Sequence, residues 1–203
     1  MKNLILGLLF VFGSSTFAKV NVGDKAPDFS LMGHDGKVHS LKEDLGSYVV
    51  LEWYNPGCPY VKKHYNSKNM QNLQKEIQSL QLEGKAPVIW YSISSSNKGK
   101  QGHMDVSKAA KNYSEKGLRS KAILLDSDGK VGKAYGATTT PHMFIVNAKG
   151  LVIYEGAIDD QPSANKKTLK GAKNYIRMAF EDLEKGNSVK VASTNPYGCS
   201  VKY

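Results

Sequence analysis

The sequence predicts an α/β sandwich: a central mixed sheet flanked by helices and opened by an N-terminal β-hairpin. Three observations predict it. Two apolar runs, "YVVLEWY" at 48–54 and "APVIWYSIS" at 86–94, have the continuous character of strands covered on both faces of a sheet. A helix-like segment follows each of them, and alternation of this kind brings strands together through crossover helices. A late pair of β-rich runs around "NAKG" at 147–150 adds an antiparallel hairpin, which makes the sheet mixed.

Taken in order, residues 20–41 alternate short β-prone runs around "HDGK", an Asp-Gly turn signal, and read as the opening hairpin. The strand at 48–54 is interrupted in its apolar character only by Glu52 and stops at the breaker cluster "NPGCP". From Tyr60 to Leu82 there is no Gly or Pro, and Leu73, Ile77 and Leu80 fall at spacings of four and three. That pattern gives a helix with one buried stripe, bent or split at Asn66–Asn69. After the strand at 86–94 come a polar Ser/Lys/Gly stretch and a helix near Asp105 to Lys116. "KAILLDSDGKVGKAYGA" gives a short strand, a turn and a short helix, and "TPHMFIVNAKGLVIYEGAID" gives the closing hairpin. In "KTLKGAKNYIRMAFEDLEKG", Leu169, Tyr175, Ile176, Ala179, Phe180 and Leu183 stand at helical spacing, with Gly186 as C-cap. The final "NSVKVASTNPYGCSVKY" reads as an extended tail.

The first 18 residues have the form of a secretory signal peptide: Lys2, an apolar run from Leu4 to Phe12, then Thr16 and Ala18 at the −3 and −1 positions of a cleavage site. The run is too short for a membrane span, which needs about 20 residues. Export to the periplasm or beyond the cell is expected, with no membrane association after cleavage. The cut removes one lysine and no acid, so the net charge of +10 becomes +9. The lysines are spread from Lys19 to Lys202 without an Arg-rich or aromatic-interleaved stripe, which reads as a solubilising surface and not a nucleic-acid site.

Two cysteines, Cys58 and Cys199, allow a single pairing, and an oxidising compartment lets such a pair persist. Cys58 follows a buried strand and precedes Pro59, a residue suited to the first position of a helix. A thiol at that place receives unpaired backbone N–H groups and the positive end of the helix dipole. Lys62 lies four residues on, on the same helical face, with Lys63 and His64 beside it. These neighbours predict a depressed pKa and a nucleophile at neutral pH. In "TTTPHMFIV" a proline runs into the start of a strand, and a cis Thr140-Pro141 bond would leave the Thr140 backbone free to pair with an extended substrate.

The order of elements resembles the thioredoxin fold, and "VGDKAPDFSL" with "DGKVHSL" resembles the opening of the redoxins, the alkyl hydroperoxide reductase and thiol-specific antioxidant superfamily. "CPYVKKH", "YGATTTPHMFIVNAKG", "YEGAIDD" and the terminal "GCSVKY" are similar to the peroxiredoxin-like branch of that superfamily. The resemblance implies a thioredoxin-like domain at 19–187 and an extended tail at 188–203. It also implies Cys58 as attacking thiol, Pro141 as the cis-proline beside it and Cys199 as a resolving thiol. The chain departs from thioredoxins in lacking a CxxC, since Asn55 and Val61 flank Cys58 at three residues. It departs from typical peroxiredoxins in having Leu51 and Asn55 where their loop carries Pro and Thr, and in having no arginine in "TPHMF". Asn55, Lys62 and His142 are the candidate substitutes.

The expectation is an exported thiol-dependent oxidoreductase without a cofactor, peroxiredoxin-like or acting in thiol-disulfide exchange. Its partners would be an external thiol reductant and a disulfide or hydroperoxide substrate. Cys58 and Cys199 would carry the chemistry, with Thr140, Pro141, Asn55 and Lys62 lining the substrate site. The alternative is a non-catalytic module that binds a peptide or copper and is stapled by a Cys58–Cys199 disulfide closing a loop of about 140 residues. His64, His103 and His142 are candidates to approach Cys58, His34 and His39 are expected at the surface, and Asp159 and Asp160 are read as turn or capping residues.

Overall fold

The computed structural model describes residues 19–82 and 86–203, so the expected leader, residues 1–18, lies outside the described residues. In chain order the elements are β1 (Ser30–Gly33), β2 (Val38–Ser40), β3 (Tyr48–Trp53), α1 (Pro59–Asn66), α2 (Asn69–Gln78), β4 (Val88–Ser94) and α3 (Val106–Lys116). They continue with β5 (Ala122–Leu125), α4 (Lys130–Tyr135), β6 (Thr139–Thr140), β7 (Met143–Val146), β8 (Val152–Gly156), α5 (Tyr175–Glu184) and β9 (Cys199–Ser200).

Seven strands form one mixed sheet in the order β2-β1-β5-β4-β3-β7-β8. β3 runs parallel to β4, with Val50 beside Trp90, and β4 runs parallel to β5. β7 is antiparallel to both β3 and β8. The two apolar runs of the sequence thus become the central strands β3 and β4, where side chains of alternating residues enter opposite cores. Val50, Tyr54 and Trp90 pack with Val61, Tyr65, Leu73, Ile77, Ile176 and Phe180 from α1, α2 and α5. Val49, Leu51, Trp53 and Tyr91 pack on the other face with Phe29, Leu41, Tyr135 and Phe144. This is an α/β sandwich of thioredoxin-like form with an N-terminal hairpin.

The long helix splits where the sequence places the break. Ser67 Oγ donates to the carbonyls of Lys63 and His64 at 2.7 and 3.1 Å, and Lys68 takes φ +63°, so α1 ends and α2 restarts at Asn69. The last helix is shorter than the spacing predicts. Leu169 belongs to a 3₁₀ turn, Lys166–Leu169, and Gly171 at φ +80° ends it. α5 begins only where the Asn174 side chain accepts from Arg177 N–H at 2.9 Å, an N-cap that competes better than continuation through glycine.

Glu52, the one break in the apolar character of β3, is buried in the helix-side core and accepts from Tyr65 Oη, Trp90 Nε1, Ser92 Oγ and Gln74 Nε2 at 2.8 to 3.3 Å. Four donors satisfy the carboxyl, yet desolvation dominates and lifts its pKa from 4.5 to about 7. His39 is buried and not at the surface as expected: its Nε2 meets both Asp35 oxygens at 3.1 Å and its ring meets Tyr91 edge-on. His34 stacks on Tyr113 with ring centroids 3.9 Å apart.

The tail lies against the sheet edge. Glu155 N–H donates to Ala192 O at 3.0 Å and Thr194 N–H to Glu155 O at 3.1 Å, which pairs part of the exposed side of β8. Contact this close needs glycine: a Cβ on Gly156, where φ is +143°, would stand 2.4 Å from Thr194 O. Beyond it, β9 pairs antiparallel with β6, Thr140 opposite Cys199 and Thr139 opposite Ser200. Among the described residues, no helix is long and apolar enough to cross a membrane.

Candidate active site

The buried strand β3 delivers the chain into a loop that is locked before the helix begins. Asn55 Oδ1 accepts from Gly57 N–H at 2.8 Å, its Nδ2 donates to Gln101 O at 3.2 Å, and Cys58 N–H donates to Asn55 O at 3.1 Å. The Asn55 amide is therefore committed at both ends to shaping the loop, and it is not a free substrate contact. Cys58 is the N-cap of α1 with Pro59 at the first helical position. Its side chain is completely buried, at 0% exposure.

The Thr140-Pro141 peptide is cis and turns the chain so that Thr140 O stands 3.1 Å from Cys58 Sγ. On the other side stands Cys199 Sγ, 2.8 Å from Cys58 Sγ, with both cysteines unbonded. The backbone edge expected to be open at Thr140 is occupied by the chain's own Cys199.

Burial opposes ionisation of Cys58, but hydrogen bonds from the Cys199 thiol, the Thr140 side chain and the backbone of Val61 and Cys199 outweigh it, and the pKa falls below the ordinary thiol value. For Cys199 burial and the adjoining Cys58 act together, pushing the pKa up to about 11. The two sulfurs are thus differentiated: Cys58 is the readier thiolate, and Cys199 stays a thiol able to donate to it once it has ionised.

Lys62 takes no part in this. It is exposed beside Pro59, Asn66 and Lys166, and the factors that lower the Cys58 pKa do not include it. A residue four positions after an N-cap shares its face, but the cysteine side chain turns inward toward β6 while the lysine turns to solvent. The histidines also bond elsewhere. His64 Nδ1 lies 2.8 Å from Asn69 Nδ2, His103 Nδ1 lies 3.0 Å from Ser96 O, and His142 Nδ1 accepts from Thr138 N–H at 3.3 Å. Burial drives His64 and His142 down to a pKa of about 3, so both are neutral.

A second polar cluster beside the site escaped the sequence reading. Lys63, also buried, donates to Gln161 O at 3.0 Å and Tyr197 Oη at 3.2 Å, and its Nζ lies 3.6 Å from Asp159 Oδ2. Tyr197 Oη donates to Asp159 Oδ1, and its ring meets Tyr60 edge-on. Asp159 does accept a turn bond from Gln161 N–H at 2.9 Å, as expected, and Asp160 accepts from Lys173 N–H at 2.9 Å. The unforeseen part is that Asp159 is buried and ties the tail to α1. The only sequence signal was an aromatic residue, Tyr197, two positions before Cys199. Among the described residues, no group of three or more His, Cys, Asp and Glu side chains forms a metal cluster.

Solved structures share this architecture. An uncharacterised conserved protein from Geobacillus kaustophilus is 25% identical, with 98% of each chain covered and a TM-score of 0.75. A hypothetical protein from Sinorhizobium meliloti is 20% identical, with 92% of this chain and 96% of that one covered and a TM-score of 0.74. The thioredoxin domain of a thiol-disulfide oxidoreductase from Bacteroides vulgatus is 18% identical, with 75% of this chain and 98% of that one covered and a TM-score of 0.50. No curated protein matches the sequence. The AhpC/TSA family model matches residues 22–155, a span that includes Cys58, the Thr140-Pro141 turn and all seven strands of the sheet except the last residue of β8. With that match over a thioredoxin-like sandwich, the chain belongs to the AhpC/TSA family of thioredoxin-fold redoxins.

Proposed function

We propose that this protein is an exported thiol-dependent oxidoreductase in which Cys58 is the nucleophile and Cys199 the resolving thiol. One observation carries the proposal: the two sulfurs lie 2.8 Å apart with their acidities pushed in opposite directions. A disulfide substrate fits them best. The Cys58 thiolate attacks one sulfur of the substrate, its S–S bond breaks, and one substrate thiolate leaves. Cys199 then gives up its proton and attacks the Cys58 side of the mixed disulfide, releasing the second substrate thiolate and closing Cys58–Cys199. An outside thiol reductant returns both cysteines to the reduced state.

With a hydroperoxide, the Cys58 thiolate would attack the terminal oxygen, the O–O bond would break with release of the alcohol or water, and Cys199 would condense with the resulting sulfenic acid to close the disulfide and release water. The chain has two arginines, Arg119 and Arg177, to polarise an O–O bond. Arg177 pairs with Glu76 at 2.6 Å, and the exposed Arg119 lies between α3 and β5 with its N–H bonded to Gln74 Oε1, so among the described residues neither is a partner of Cys58. This favours disulfides over peroxides. In the stapled binding-module alternative the same β6–β9 pairing holds the tail and Cys58–Cys199 is a standing disulfide, so turnover of the pair separates the two readings.

Export rests on the form of residues 1–18, with the periplasm or the cell exterior as destination. The deciding experiment mixes the reduced protein with oxidised glutathione or hydrogen peroxide and follows the intramolecular disulfide by mass. Rapid Cys58–Cys199 formation, lost in C58S, supports the assignment; thiols that stay reduced at neutral pH overturn it.

A further inference from the structure

The tail docks on Thr138–Thr140 as an extended peptide would. Thr140 pairs with Cys199 and Thr139 with Ser200, Val201 N–H donates to Thr138 O at 3.0 Å, and Asn97 N–H donates to Lys202 O at 2.8 Å. The strand brings its cysteine onto Cys58 and leaves that sulfur without exposure. Its approach is set by one residue. A Cβ on Gly198, where φ is +144°, would stand 2.1 Å from Thr140 O, so an occupant in this register needs glycine directly before its cysteine. Upstream, the hydroxyl of Tyr197 holds the strand to Lys63 and Asp159.

We propose that residues 197–201 are a resident surrogate for the protein's substrate: the Thr138–Thr140 edge accepts an extended peptide with Gly-Cys in disulfide linkage, and the tail guards Cys58 until such a strand displaces it. The proposal rests on Cys58 being the reacting thiol. Protein-sized partners then gain access only by strand exchange, with the main-chain pairing supplying affinity and the Gly198 position supplying selectivity.

Guarding is tested by alkylation, which needs no turnover. In a C199A background, where Cys58 is the only thiol, the rate of its modification by iodoacetamide is measured for G198V and for Y197F. G198V cannot seat the strand and should raise the rate by at least about tenfold, and Y197F, which loses hydrogen bonds to a charged pair, by about tenfold. Y197F decides the matter should G198V fail to fold by circular dichroism. Rates equal to the background chain overturn the guard. Selectivity is tested with thionitrobenzoate-activated peptides that differ only in Gly-Cys or Val-Cys. Cys58 of Y197F/C199A attacks the peptide sulfur and releases thionitrobenzoate, whose absorbance reports the rate. Faster reaction of the Gly-Cys peptide supports the surrogate, and equal rates overturn it. Failure of the redox assignment looks different: faster alkylation with no reaction toward either peptide.

Discussion

Thr140 and Cys199 stand directly opposite each other in an antiparallel pair, and the Cys58 sulfur touches both, 3.1 Å from Thr140 O and 2.8 Å from Cys199 Sγ. Cys199 therefore comes to Cys58 on a strand, across 141 residues of chain, and not from the next turn of the same helix. A CxxC redoxin carries both sulfurs on one rigid element; here one of them rides on a segment held by backbone pairing and a tyrosine hydroxyl.

The first prediction concerns the acidity of Cys58. Burial raises its pKa, four hydrogen bonds from three residues lower it, and the Cys199 thiol is the largest of those that lower it. Removing that donor in C199A should raise the Cys58 pKa, because the thiolate loses the hydrogen bond that favours it. The ultraviolet absorbance of the thiolate, titrated with pH in both proteins, measures it. An unchanged midpoint would show that the helix terminus alone sets the acidity.

Glu52 supplies the second prediction. Its pKa of about 7 in the folded protein exceeds the ordinary 4.5, so the folded state binds the extra proton between these values. Its contribution to stability is fully present below pH 4.5 and is lost as pH rises through 7, by about 3 kcal/mol in all. Denaturant midpoints across this window should fall in the parent protein and change less in E52Q. Because His64 and His142 act in the opposite sense, losing stability as pH falls from 6.5 toward 3, the comparison is the difference between the two profiles.

Much of this was legible in the sequence, and what was not has a common cause. The buried strands, the split at Asn66–Asn69, the N-cap position of Cys58 and the cis turn at Thr140-Pro141 are all set by local chemistry: apolar runs, breakers and the restrictions on proline. Sequence places Lys62, Lys63 and His64 only by their distance along the helix from Cys58, whereas their roles depend on what packs across from α1. There the tail and the Ile158–Gln161 segment receive Lys63 and leave Lys62 to solvent. Asn55 stands where a typical peroxiredoxin loop carries threonine, which suggests a substrate contact, and only the positions of Gln101 and Gly57 show that its amide is spent on the loop. Leu169 fits the period of the closing helix, but Gly171 and the Asn174 cap decide where that helix starts.

The third prediction uses the buried cation. Lys63 offsets the charge of Asp159 in a site closed to water, so K63M leaves that carboxylate without its ion-pair partner. A loss of about 3 to 5 kcal/mol is expected in equilibrium unfolding, and K63M/D159N should recover a good part of it. A single variant as stable as the parent would mean that Lys63 contributes only its hydrogen bond to Gln161 O.

The final prediction is which sulfur the outside reductant attacks. Once Cys58–Cys199 has formed, Cys58 remains beneath the strand, whereas Cys199 lies on the partly exposed side. Attack at Cys199 also expels Cys58, the more acidic thiol and hence the faster leaving group. Treating the oxidised protein with a limiting amount of a mass-tagged thiol, quenching with acid and mapping the adduct by peptide mass should place the tag on Cys199. A tag mainly on Cys58 would mean that the tail swings away before reduction, and that the strand pairing seen at Thr140 does not survive oxidation.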